Sequence, residues 1–122
     1  MKVAGFGFRA DVSVSSLCDA LEAAGGTADL RGIATLADKA EHAVFQEFGR
    51  KVGLPIEAIA QDRIKAVDVT THSAKSHRLR GTGSVSEAAA LAAAGPGARL
   101  STTRAISADK MATCAIASEK NT

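Results

Sequence analysis

KVAGFGFRADVSVSSLCDALEAAGGTADLRGIAT, running from Lys2 to Thr35, is the stretch whose reading decides the fold. Val3 to Phe8 is a short apolar run punctuated by Gly5 and Gly7, the pattern of a buried strand entering a tight turn. From Ser13 the apolar residues fall at Val14, Leu17, Cys18, Leu21 and Ala24, one face of a helix. Ser13 is placed to accept backbone N–H bonds at its start, and Gly25-Gly26 stops it. Ala28 to Thr35 alternates and then turns apolar through Leu30, Gly32, Ile33 and Ala34, which predicts a second strand. Strand, helix and strand in this order make a parallel βαβ unit.

Outward from that unit the alternation continues. Asp38 with Glu41 has capping-box spacing and predicts a helix whose buried face is Val44, Phe45, Phe48 and Val52. Pro55 to Ile59 reads as a short strand near a sheet edge, because Pro55 donates no ladder bond. Gln61 to Val67 suits one or two helical turns, and residues 68–83 read as a long loop. Ser84 and Glu87 form a second capping box before an Ala-rich helix closed by Gly95-Pro96-Gly97. Ala98–Arg104 and Met111–Ser118 are expected strands of a C-terminal hairpin that turns at Ser107–Lys110. The predicted class is α/β: one domain over residues 1–122, a three-layer α/β/α sandwich with a mixed, mostly parallel sheet.

Composition narrows the classes. The chain has 122 residues and a net charge of +2, with four Phe and no Trp or Tyr. Leu, Ile, Val and Phe number only 26, so a small-grained core rich in Ala is expected. So few aromatics exclude a base-stacking platform, and the weak net charge argues against a nucleic-acid partner. No apolar run approaches the roughly 20 residues of a membrane span. Met1 to Arg9 lacks the h-region of a signal peptide, and two cysteines make no disulfide framework. A cytoplasmic protein is expected, with Cys18 and Cys114 as inert core.

Candidate chemistry gathers at the strand ends. Gly5, Gly7 and Ala10 match a loose G-x-G-x-x-A nucleotide pattern, with Asp29 where a ribose-binding acid is sought. A strand-ending turn explains those glycines equally well, and Asp29 falls at the start of the second strand, not at its end. Arg9 stands apart as a cation on a strand-end loop. Asp38 and Glu41 are accounted for by capping. Thr35 and Lys39 are not, and a hydroxyl with an ammonium beside a helix start suits a carboxylate or phosphate. Gly81-Thr82-Gly83-Ser84 offers backbone N–H groups to a ligand, although Glu87 opposes an anion there and no P-loop Lys follows. Lys75, Arg78 and Arg80 occupy an acid-free stretch, read as a solvated basic loop or as a clamp for a polycarboxylate. His72 and His77 lack further ligands at metal spacing, so no metal site is expected, and no cofactor is called for.

Four segments in register carry a resemblance. They are Gly5-Phe6-Gly7-Phe8-Arg9, Thr35 to Glu41, Gly83 to Leu91, and Ala112 to Ala117. In this order they resemble CobE and the C-terminal domain of CbiG, over essentially the whole chain. The resemblance implies an α/β/α domain working on a corrin-ring (precorrin) intermediate of cobalamin biosynthesis, at the methylation and ring-contraction stage. It also implies that only the C-terminal portion of CbiG is represented, so the lactone-opening activity of full-length CbiG does not transfer. Arg104 stands where the family is expected to carry Lys, a point ammonium replaced by a planar fork.

On this reading the ligand-binding set is Gly7, Arg9, Thr35, Asp38, Lys39, Gly83, Ser84, Glu87 and Arg104, the cations facing corrin acetate and propionate groups. A nucleotide- or anion-binding domain remains the first alternative. A non-catalytic carrier presenting intermediates to other pathway enzymes is the second, and a homodimer through Ala-rich surfaces stays open.

Overall fold

A computed structural model describes residues 1–66 and 82–119. The elements are β1 (Lys2–Phe8), α1 (Val14–Ala24), β2 (Leu30–Leu36), α2 (Ala37–Ala40), α3 (Ala43–Val52), β3 (Ile56–Ile59) and α4 (Gln61–Ala66). After the basic stretch come α5 (Thr82–Ala94), β4 (Arg99–Ile106) and β5 (Ala112–Ser118). One five-stranded sheet has the order β3-β2-β1-β5-β4. β1 pairs parallel with β2, and β2 with β3. β5 runs antiparallel to both β1 and β4. The sheet is mixed as expected, with a parallel half built by βαβ connections and an antiparallel half supplied by the terminal hairpin.

The two faces of the sheet are packed differently. Ala4, Phe6 and Phe8 of β1 meet Leu17 and Leu21 of α1 and Phe45 and Phe48 of α3 in one buried cluster. All four phenylalanines of the chain are there. Phe6 stands edge-on to Phe45 and Phe48 at 5.6 and 5.2 Å, while Phe8 stacks on Phe45 at 5.2 Å. Burying each such ring contributes roughly 2–3 kcal/mol, so this face supplies much of the hydrophobic stabilisation. On the other face Val3, Ala34 and Ile59 meet Ala89, Ala92 and Ala93 of α5. There the small-grained packing holds, and the helix lies close to the sheet.

Gly5 marks that close approach. A Cβ on it would stand 2.2 Å from Ser86 O and 2.4 Å from Ala90 N, so the backbone of α5 occupies the space a side chain would need. This corrects the turn expected here: Gly5 and Gly7 lie inside β1, opposite Ala115 and Thr113 of β5.

Helix ends bring further corrections. Ser13 caps α1 as expected, its hydroxyl accepting from Ser16 N–H at 3.1 Å, and Gly25 closes the helix at φ 132°. The helix expected from Asp38 is two helices. Glu41 ends α2, and His42 in an extended conformation (φ −61°, ψ 129°) caps α3. Asp38 and Glu41 therefore form no capping box. Helix α5 begins at Thr82, which places Gly83 and Ser84 inside it, so Ser84 is not the N-cap. Glu87, released from that role, accepts the Arg104 N–H at 3.1 Å. The Ser84 side chain, Lys75, Arg78, Arg80, His72 and His77 lie outside what is described.

Candidate functional site

The carboxyl ends of β1 and β2 point the same way, and the β4–β5 turn comes up beside them, since Phe8 pairs with Ala112. Chain order reverses between β1 and β5, because β1 leads to β2 on one side while β5 arrives from the hairpin on the other. Open α/β sheets bind ligands in the crevice outside such a switch point. The residues that follow β1, from Arg9 to Ser13, lead from this point into α1.

Arg9 is exposed at the end of β1, its backbone N–H donating to Met111 O at 3.0 Å. Asp38 is exposed on α2 and Lys39 is half-buried beside it. Arg104 is exposed two strands across from β1, a separation of roughly 10 Å given usual strand spacing. Arg9, Asp38 and Lys39 share the carboxyl end of the parallel strands, whereas Arg104 lies between the levels of Ala4 and Phe6, midway along β1, because its neighbour Ala105 pairs with Cys114 and Cys114 with Phe6.

Other candidates are engaged with the backbone. Thr35 is fully buried and its hydroxyl donates to Phe6 O at 2.8 Å. Gly7 is buried within β1, its carbonyl accepting from the Thr113 hydroxyl at 3.3 Å. Lys39 Nζ donates to Phe8 O at 2.9 Å and sits 5.3 Å from the Phe8 ring centroid. His42, which the sequence pattern did not single out, has Nε2 2.7 Å from Ala10 O. Side chains from β2, β5 and the α2–α3 segment thus take up carbonyls at the end of β1. No sequence signal marks such contacts, because the acceptors are backbone atoms.

The nucleotide fingerprint dissolves in this geometry. Its glycines are strand residues, not a phosphate loop. Asp29, at φ 65°, precedes β2 and offers its carbonyl to Lys2 N–H at the opposite end of the sheet.

A second polar cluster seats the hairpin on α1. Asp109 accepts from the hydroxyls of Ser16 and Ser107, the latter at 2.6 Å, and from Met111 N–H at 3.1 Å. The Ser107 bond, then that of Ser16, holds the Asp109 carboxyl below its ordinary range. Asp19 accepts from Ala108 N–H at 2.6 Å. Burial pushes the Cys114 thiol far up, which keeps it protonated and unreactive. Among the described residues no group of three or more metal-ligating side chains comes together. An open groove lined by Gln46, Gly49, Arg50, Gly53, Leu54 and Ile56 lies at the other end of β3, apart from Arg9 and Arg104.

The family described as cobalamin synthesis G C-terminus matches residues 2–117. The chain belongs to the CbiG C-terminal family. Among solved structures it is similar to cobalamin biosynthesis protein chiG from Agrobacterium tumefaciens str. C58, at 37% identity and a TM-score of 0.76, covering 99% of this chain and 100% of that one. It is also similar to CobE, a protein from the cobalamin (vitamin B12) biosynthetic pathway, at 26% identity and a TM-score of 0.69. That match covers 96% of this chain and 89% of CobE. A putative cobalamin biosynthesis protein G homolog from Sulfolobus solfataricus shares the fold at a TM-score of 0.73 and 14% identity, over 99% of this chain and 37% of that one. No curated protein matches the chain.

Membership in the CbiG C-terminal family agrees with the resemblance drawn from the four segments. Two of those segments supply β1 and the start of α5, which cross at Gly5. Among the described residues, no helix of this family member is long and apolar enough to cross a membrane.

Proposed function

We propose that this CbiG C-terminal-family domain binds a corrin-ring intermediate, a precorrin of the methylation and ring-contraction stage, at the carboxyl ends of its parallel strands. The observation that carries the reading is the exposed guanidinium of Arg9 beside the switch point, with a second exposed guanidinium, Arg104, two strands across at the height of Gly5. Corrin intermediates are apolar rings fringed with acetate and propionate groups, and a planar fork takes a carboxylate in two parallel hydrogen bonds. Asp38 and the start of α5 at Gly83 border the strand ends, and Glu87 stands beside Arg104. Lys39 adds positive charge there while fastening β1.

Guanidiniums stay protonated at all working pH values, so they suit anion capture better than proton transfer. This favours a binding role, and with it a domain that presents intermediates to other enzymes of the pathway.

Absorbance titration with hydrogenobyrinic acid tests the reading. Saturable spectral change and co-elution are expected, with affinity falling about tenfold or more in Arg9→Ala/Arg104→Ala, the loss of one or two charge-assisted bonds. An unshifted spectrum, with NAD or ATP raising the melting temperature instead, would return the domain to the nucleotide class.

A further inference from the structure

The carbonyls on both sides of Arg9 are held from the same direction. Lys39 Nζ reaches Phe8 O at 2.9 Å, and His42 Nε2 reaches Ala10 O at 2.7 Å. The protonation pattern of His42 follows from its other ring nitrogen. The Val44 backbone N–H can only donate, and it lies 3.1 Å from His42 Nδ1. Nδ1 therefore carries a lone pair, the proton resides on Nε2, and Nε2–H donates to Ala10 O. One neutral imidazole caps α3 at one end and clasps the β1–α1 loop at the other. Its ring stands edge-on to Phe8 with centroids 5.5 Å apart, which limits its swing.

We propose that His42 is a positioning residue of the ligand site, a two-ended latch that presents Arg9 in one geometry. The inference rests on the corrin-binding reading and deepens it. A loop fixed before the ligand arrives loses less conformational freedom on binding, so the latch raises affinity without touching the ligand. Lys39 is the second fastening of the same loop.

Two substitutions separate latch from cap. Asparagine caps helices well but is too short to reach Ala10 O, so His42→Asn keeps the α3 cap and opens the latch. Glutamine extends further, so His42→Gln restores the bond to Ala10 O with a poorer cap. Amide hydrogen exchange at residues 9–13 and titration with hydrogenobyrinic acid are measured on the full chain. In His42→Asn exchange is expected to quicken about tenfold and affinity to fall about five- to tenfold, the worth of roughly one hydrogen bond, with the melting temperature near the parent's. His42→Gln should recover both despite melting earlier.

Unchanged loop exchange in His42→Asn overturns the latch. So does quickened exchange with intact affinity, and so does affinity that tracks melting temperature across the two variants. If the parent chain fails to bind the corrinoid, the corrin reading falls instead, and loop exchange alone decides whether the latch exists.

Discussion

Gly5 is where two distant parts of the chain exclude a single methyl group. The contacts a Cβ would make are with backbone atoms of Ser86 and Ala90, which move only if α5 moves. Gly5→Ala should therefore cost about 3 kcal/mol, the upper part of the overpacking range. In calorimetry that is a fall of roughly 12 °C at about 4 °C per kcal/mol. The glycine was legible in the sequence, but its reason was not, because the obstructing helix lies some eighty residues further on. The partners of Thr35 and Lys39 are illegible for the same cause: they are carbonyls of β1, and a carbonyl leaves no trace in the residue type. Asp109 carries a prediction about pH. A carboxyl held below its unfolded value stabilises the fold above that value, about 3.9 for Asp, and loses the effect as pH falls through the lower folded value. Asp109→Asn should flatten the decline in melting temperature below about pH 4 while changing little of its slope near neutrality.

Among the elements, the strands and α1 follow directly from their patterns, since apolar spacing, Ser13 and Gly25 all agree. The break between α2 and α3 does not, because Asp38 and Glu41 imitate a capping box and histidine is an uncommon cap. Ser84 and Glu87 imitate another, and α5 overruns it. β4 holds the counterpart of that error. Its register against β5 slips between Leu100 and Thr102 and again between Thr102 and Ala105, so the strand carries extra residues that its partner lacks. Such bulges turn an edge strand from regular pairing and leave an unpaired N–H. Here the Arg104 N–H finds the Glu87 carboxylate. Glu87→Ala should lower stability by about 1 kcal/mol through that one bond, and Glu87→Gln, which keeps an acceptor, should melt close to the parent. Equal losses in the two variants would assign the effect to charge and not to the bulge.

The molecule as a whole carries two sets of guanidiniums, one exposed and one paired, and sequence spacing could not separate them. At the carboxyl end of the parallel strands Arg9 is exposed, and Arg104 is exposed on β4 at the height of Gly5. At the other end Arg31, on β2, pairs with Glu57 of β3 at 2.6 Å and with Glu119, and donates to Ala93 O of α5 at 2.7 Å. The Glu119 bond, foremost among these contacts, raises the Arg31 pKa, and Arg31 in turn holds the Glu119 carboxyl low. One guanidinium thereby ties the sheet, the chain after β5 and the end of the Ala-rich helix. Its five donors in a fixed fork allow what a lysine could not. Nothing in the spacing of Arg31, Glu57 and Glu119 announces the cluster, since fold topology alone makes them neighbours. The two sets should therefore respond to mutation in opposite ways. Arg31→Ala should lower stability by about 2 kcal/mol, because it removes several charge-assisted bonds from half-buried partners, and it should leave hydrogenobyrinic acid affinity unchanged. Arg9→Ala/Arg104→Ala should leave the melting temperature within about 2 °C, as exposed charges contribute little to stability, while weakening the corrinoid complex. Calorimetry and titration on the same four proteins, the parent, both variants and their combination, decide the matter. Additive effects are expected, because Arg31 shares no partner with Arg9 or Arg104, and a corrinoid affinity that falls with Arg31 would mean the ligand sits at the wrong end for this reading.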